Sequence, residues 1–317
     1  MNFVAFALAL VSFAVSAQGY PNRPVKVVVP YAAGGLPDTM ARLVGAKIGE
    51  STGQQMVIEN RGGAGGIVGT AEVAKSAPDG YSLLVADVSQ IAINPHLFSK
   101  LPYDPLKDLT GVSLMGTSAL YLVAHPSLPA NNMKELVALV KSQPGKLSYG
   151  SSGLGSIHHL AMEALKSGLG LDMVHVPYKG TGQSVPALLG GQVPLLYAAL
   201  PSIESHVKAG KVKILAMSAL QRSPQTPDVP TIAESAIPGY EFLAEIGYYA
   251  PAGTPQDIIA KLAAEVQKAV KQPDVVTRFK QLGIDPVGST PETYNTMNRA
   301  NYQKYEKVVK ASGAKID

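Results

Sequence analysis

The sequence predicts an α/β protein of two domains, and three observations carry that prediction. From Pro24 onward, short β-branched runs alternate with longer stretches whose apolar residues recur at helical spacing, the pattern of strand–helix units with mostly parallel strands. The chain has 317 residues, enough for two domains of ordinary size, each burying a core of its own. Two glycine turns, residues 30–38 (PYAAGGLPD) and 149–156 (YGSSGLGS), each follow a β-rich run and precede a helix-like run.

Residues 25–29 (VKVVV) read as the first strand, and Met40, Leu43, Val44 and Ile48 then recur on one helical face. Residues 55–59 supply a second strand, 60–66 (NRGGAGG) a turn into a helix around 67–76, and 81–86 (YSLLVA) a third strand. Residues 94–108, rich in Pro, Asp and Lys and without periodicity, read as a connecting loop before a strand at about 111–115. At 121–124 (YLVA) a new series begins. It predicts a helix over 132–140 with Met133, Leu136, Val137 and Val140 on one face, then a strand at 147–149 and the second glycine turn. A helix carrying Ile157, Leu160, Ala161, Ala164 and Leu165 follows, then strands at 173–177, 194–198 and 212–217. The proline-dense segment 223–230 returns the chain to the first domain, completed by helices at about 256–270 and 291–311. The expected division is therefore residues 18–120 and 236–317 in one lobe, with 121–235 inserted as the other.

Composition narrows the chemistry. Residues 1–17 contain no charged side chain and run through an apolar stretch to Val15, Ser16 and Ala17, a small-x-small pattern that predicts export and cleavage after Ala17. That stretch falls short of the roughly 20 apolar residues that span a bilayer. There is no Cys, which excludes disulfides, a thiol nucleophile and thiolate metal ligands. The net charge of +4 is spread without a basic run or interleaved aromatics, so a nucleic-acid partner is not expected.

Each glycine turn leads from a strand into a helix, and the first N–H groups of a helix lack intrahelical partners while the dipole favours negative charge there. Two such turns facing each other could hold a carboxylate. Gly62, Gly63, Gly65 and Gly66 do not make a dinucleotide fingerprint, because the G-x-G-x-x-G spacing from Gly63 meets Val68. No Walker A sequence occurs either. Ser151, Ser152 and Ser156 lie beside His158 and His159, which invites a serine hydrolase using Ser152 or Ser156 with His159. No G-x-S-x-G elbow is present, however, and serines at a helix start serve as caps. His159 with Glu163 has metal-ligand spacing, for which a surface ion pair is the simpler account. Tyr31, Tyr178 and Tyr197 sit at strand ends, where ligand contact and packing are both open.

The motifs taken together resemble the Bug family, the extracytoplasmic solute receptors of tripartite tricarboxylate transporters. The likeness runs through Tyr20–Pro24, Val29–Gly35 with Asp38, Ala41 and Arg42, Glu59–Gly66 and Pro78–Tyr81. It continues through Leu101–Asp104, Gly153–Ser156 with His159 and Leu160, Val176–Gly180, Gly190–Val193, Pro227–Thr231 and Ala250–Pro255. The resemblance implies a two-lobed periplasmic-binding-protein fold of type II-like form, its lobes closing on a small organic acid without catalysis, cofactor or metal. It implies membrane permease subunits as partners, a periplasmic location and a monomer; a sensor subunit signalling to a kinase is the other role such a receptor could fill. The implied cleft residues are Tyr31, Ala32, Gly34, Gly35 and Asp38 at the first turn, and Ser151, Ser152, Gly155, Ser156 and His159 at the second. Ser89, Tyr178 and Tyr197 are added as walls. Asp38 either orders the first turn or reads a polar or cationic group on the ligand. The chain departs from the family pattern at Pro37, which removes an N–H donor, and at Pro194 and Ala198 beside Tyr197, where acidic residues are common. Glu245 to Tyr249 (EIGYY) stands where the family often has Trp.

Overall fold

The computed structural model of the protein describes residues 19–31, 33–178 and 180–316. The expected leader 1–17 and Ala32 lie outside them. The first strand–helix units form as their periodicity requires. β1 (Val25–Val29) leads into α1 (Leu36–Thr52), β2 (Met56–Asn60) into α2 (Ile67–Ala74), and β3 (Ser82–Ala86) follows. Val25, Val27 and Val29 point to one face of the sheet, against Met40, Val44 and Ile48 of α1.

After β3 the chain forms a π-helical turn, Ser89–Ile93, that runs into the short helix α3 (Asn94–Leu97). The loop expected over 94–108 thus begins as helix. Its start is fixed by burial: Ile91, Ile93 and Leu97 are almost fully covered. Next comes β4 (Leu109–Ala124), one continuous strand where the sequence suggested a strand at 111–115 and a fresh start at 121. Gly111, Gly116, Thr117 and Ser118 interrupt its apolar pattern without ending it, because the strand shifts register against its neighbour between Gly111 and Ser113 and again between Leu114 and Gly116.

The second half of the chain continues with α4 (Met133–Ser142), β5 (Ser148–Ser151), α5 (Ile157–Leu169), β6 (Val174–Pro177), α6 (Thr181–Leu189) and β7 (Leu195–Ala199). Then follow α7 (Glu204–Lys208), β8 (Lys213–Met217), α8 (Ile232–Ser235), β9 (Leu243–Pro251) and α9 (Gln256–Val270). The last elements are α10 (Pro273–Gln281), β10 (Asp285–Pro286) and α11 (Pro291–Ser312).

The strands form two mixed sheets sharing β4. In the first, the order β2-β1-β3-β9-β4 places parallel pairs at one edge, while β9 runs antiparallel to both β3 and β4. In the second, the end of β4 pairs antiparallel with β7 and β8, and β5 pairs parallel with β6 and β7. Parallel pairing therefore holds within the strand–helix units, and the strands that connect the two sheets are antiparallel. Around the second sheet, Leu120, Leu122 and Tyr149 pack with Leu160 and Leu165 of α5. Ile93 and Leu97 join this core, as do Tyr305 and Val309 of α11, so segments from both ends of the chain close it. Among the described residues no helix is long and apolar enough to cross a membrane.

Candidate functional site

The loops after β1 and β3 leave the first sheet side by side, because those strands are parallel neighbours. At the first turn Gly34 takes φ +83°, a conformation only glycine adopts without strain, and Gly35 becomes the N-cap of α1 with no side chain capping it. The turn is held by Asp38. Its Oδ2 accepts from the Gly34 N–H at 2.8 Å and from Arg42 Nε at 3.1 Å; its Oδ1 accepts from Asn60 Nδ2 at 3.0 Å and lies 2.9 Å from Arg42 Nη2. Burial alone would raise the Asp38 carboxyl, but hydrogen bonds from Arg42, Gly34 and Asn60 outweigh it and hold the group below its ordinary value. Both oxygens are thus committed to the turn. Of the two roles open in the sequence, this geometry matches the ordering of the turn.

The second turn is built by its own serines. Ser151 Oγ and Ser156 Oγ both donate to the Gly153 carbonyl, at 3.0 and 2.8 Å, and Ser156 caps α5 by accepting from the His159 N–H. Gly155 donates its N–H to His159 Nδ1 at 3.1 Å. The His159 ring stacks on His175 with centroids 4.0 Å apart, and His175 stacks in turn on Tyr149 at 4.9 Å. Burial lowers His175 to about 4 and also lowers His159. Glu163 accepts from Tyr149 Oη and from Lys166 Nζ, the latter at 2.7 Å, with His159 Nε2 farther off at 4.0 Å. No metal-binding group of His, Cys, Asp and Glu exists among the described residues.

A third helix start joins these two. Gly180 donates its N–H to the Ser152 carbonyl and N-caps α6, again without a side-chain cap. One cavity of about 370 Å³ is bordered by Gly34, Gly35 and Leu36 at the start of α1, by Ile157 and His158 at the start of α5, and by Thr181 at the start of α6. Its remaining walls come from both sheets, notably Asp87, Ser118 and Ala244, and from Ala199, Pro201 and Ser202.

Among the residues singled out from the sequence, Gly34 and Gly35 border this cavity. Tyr31 stands behind it, donating to Asp87 Oδ2 at 2.7 Å, and Ser89 gives its backbone N–H to Asp87 Oδ1 at 2.7 Å. Ser151, Gly155, Ser156 and His159 shape the second turn as described above. Ser152 Oγ lies 2.8 Å from His158 Nδ1, and His158 is held at about 4 by burial. Ser152 therefore meets His158 and not His159, the other Ser–His contact being Ser151 Oγ to His175 Nε2 at 2.7 Å, and among the described residues no carboxylate hydrogen-bonds to or pairs with the His158 imidazole. Tyr178 packs beside Val176 against the core of the second sheet. Tyr197 is 1% exposed; it pairs with Tyr240 at 2.8 Å between the hydroxyls, and Tyr240 donates onward to the Ala161 carbonyl. Tyr197 is covered by the core around α5, and the cavity is reached only where the strand ends, by Ala199, Pro201 and Ser202.

Three cavity features were not singled out. The α6 start was visible only as a Pro–Tyr–Lys–Gly turn, since Thr181 to Leu189 mixes small residues with an internal Pro186. Asp87 looked like an ordinary strand-end residue. Ser118 lies within a strand, where nothing in the sequence marks which face it takes. The turn at Gly62–Gly66 is structural: Gln90 Nε2 and Asn94 Nδ2 both donate to the Gly65 carbonyl at 3.0 Å.

Comparison with known proteins agrees with this architecture. Residues 40–314 match the model of the family described as tripartite tricarboxylate transporter family receptor. Protein BugT of Bordetella pertussis is 36% identical over 314 residues, covering 99% of this chain and 96% of that one. Among solved structures, Rpa4515 of R. palustris with adipate superposes with a TM-score of 0.84 at 33% identity, covering 94% of this chain and all of that one. MatC of Rhodopseudomonas palustris with bound malate gives a TM-score of 0.79 at 37% identity, covering 92% and 100%. With residues 40–314 matched by the family model and nearly the full length matched by a relative at 36% identity, the chain belongs to the tripartite tricarboxylate transporter receptor family, the Bug family of solute-binding proteins.

Proposed function

We propose that this protein is a periplasmic receptor that captures a small organic carboxylate between two lobes and delivers it to the permease subunits of a tripartite transporter. It acts by binding, without turnover and without a cofactor, as an exported monomer freed of its leader after Ala17. In this reading one lobe is residues 18–120 with 236–317, and the other is 121–235. The ligand-binding set comprises Gly34, Gly35 and the starts of α1, α5 and α6, supported from behind by Tyr31, Asp38, Ser151, Ser152, Gly155, Ser156 and His159.

The observation that carries this reading is the convergence of three helix starts on one cavity, two of them without a side-chain cap. Each start contributes on the order of 0.3–1 kcal/mol toward an anion when exposed and up to about 2 when partly buried. Micromolar binding requires about 8 kcal/mol. Charge-assisted hydrogen bonds and closure of the lobes must supply the difference. The malate and adipate bound by relatives support a carboxylate as the shared chemistry.

A thermal-shift screen of the purified protein against aliphatic and aromatic carboxylates, each beside its neutral amide, tests the reading. At a hundredfold excess over the dissociation constant a ligand stabilises by about 2.7 kcal/mol. Shifts confined to the acids are expected. Equal shifts with the amides, or none with any acid, would overturn the carboxylate assignment.

A further inference from the structure

The cavity walls carry opposite electrostatic character. The three helix starts make one side positive, and the part-buried carboxylate of Asp87 faces the same space from the end of β3. Asp87 Oδ2 takes the Tyr31 hydroxyl and Oδ1 takes the Ser89 N–H. No Lys, Arg or His forms an ion pair with it among the described residues. The neighbouring charges do not compensate: Glu245, on the far face of β9, adds negative potential, and Lys304 is drawn toward the Glu241 carbonyl. Burial pushes the Asp87 carboxyl above its ordinary value, and the hydrogen bonds from Tyr31 and Ser89 only partly reverse that push.

A second, independent observation lies across β9. Ser118, opposite Ala244 in the β4–β9 ladder, borders the cavity and is 2% exposed, and its Oγ has no hydrogen-bond partner among the described residues. A buried hydroxyl left unpaired costs stability, so such a group at a cavity wall marks a partner that arrives with the ligand.

We propose that the cargo is an ammonium carboxylate, a zwitterion such as an amino acid, whose carboxylate meets the helix starts and whose ammonium group is received by Asp87, with Ser118 Oγ as a further acceptor. This rests on the receptor reading above and narrows it. An ammonium has three donors and no acceptor, which suits a carboxylate and a hydroxyl oxygen that each have lone pairs free. A simple dicarboxylate would instead bring a second negative charge against Asp87, and complementary potentials decide specificity through such like-charge conflicts.

The test is isothermal titration of the full protein with matched pairs that differ only by the amine: L-glutamate against glutarate, L-aspartate against succinate, and 4-aminobutanoate against butanoate. In at least one pair the ammonium-bearing member is expected to bind tenfold or more tightly. Asp87→Asn should erase or invert that preference, whereas Ser118→Ala should weaken the ammonium member severalfold and raise the melting temperature of the unliganded protein. Tighter binding of the amine-free acid in every pair would overturn the inference and leave the receptor reading standing. It would identify Asp87 as a protonated donor to a second carboxylate, and Asp87→Asn would then preserve binding. No binding by either member of any pair, together with binding of neutral amides, would overturn both.

Discussion

Replacing Asp38 separates the order of the first turn from contact with cargo. In an Asp38→Ala protein the Gly34 N–H and the Asn60 amide lose a charged acceptor, and Arg42 loses both of its bonds to the carboxylate. Hydrogen bonds to a charged group contribute about 1.5–3 kcal/mol each. Asn60 keeps its other bond, to the Tyr31 carbonyl at 3.2 Å, which limits its loss. The Arg42 side chain is 51% exposed, so its ion pair contributes well under 1 kcal/mol, roughly the surface value. The expected total is about 3 kcal/mol, a fall in melting temperature of about 5 °C at an unfolding entropy of about 2.1 cal/mol/K per residue. Affinity should fall by about tenfold as the α1 start loses its aim, on the scale of 1–2 kcal/mol for one helix end. Calorimetric melting and titration of the same preparations measure both. Asp38→Asn, which retains an acceptor for Gly34, should recover part of each loss. An Asp38→Asn protein that melts with the wild type yet binds a hundredfold more weakly would refute this reasoning and place the carboxylate on the ligand.

Two further outcomes follow from the second turn. Gly155 has φ +73° and a Cβ there would fall onto the Leu97 methyls, so Gly155→Ala should destabilise by about 1–3 kcal/mol through overpacking alone, read as a lower denaturant midpoint. His175 is lowered from 6.5 to about 4, chiefly by burial. The unfolded chain therefore binds more protons than the folded one between those values, so stability is full above pH 6.5 and declines as pH falls toward 4. Urea midpoints measured across this window should drop, and His175→Gln should flatten the decline.

The strand–helix units were legible where one face of an element is buried, because a fixed period then shows in the residues. α1, α5 and α9 are of this kind, whereas β1 and β3, covered on both faces, stand out as short β-branched or apolar runs between turns. β9 was not: the Glu245, Gly247 and Tyr249 set and the Ala244, Ile246 and Tyr248 set face covered surfaces on both sides of the sheet, so the strand has no alternation to read. β4 was split in two for a similar reason, since Gly116, Thr117 and Ser118 look like a turn when their neighbours are unknown. At the site, the glycine turns were readable because their backbone demands specific residues. Asp87 and Ser118 were not, because their meaning depends on which face of a sheet they take and on what lies across it. Tyr197 looked like a wall for the same reason and proved to be a core hydroxyl relay.

The pairing of β4 with β9 joins residues 109–119 to 243–251, more than a hundred positions later in the chain. A chain emerging N-terminus first presents β3 and β4 as unpaired edges until the strand that lies between them has appeared. The first sheet cannot close early, and contacts so distant in sequence make for slow folding. Such delay exposes apolar strand edges to aggregation when it occurs in a crowded compartment. For a chain threaded across a membrane it is an advantage, because the polypeptide stays extended until nearly all of it has passed.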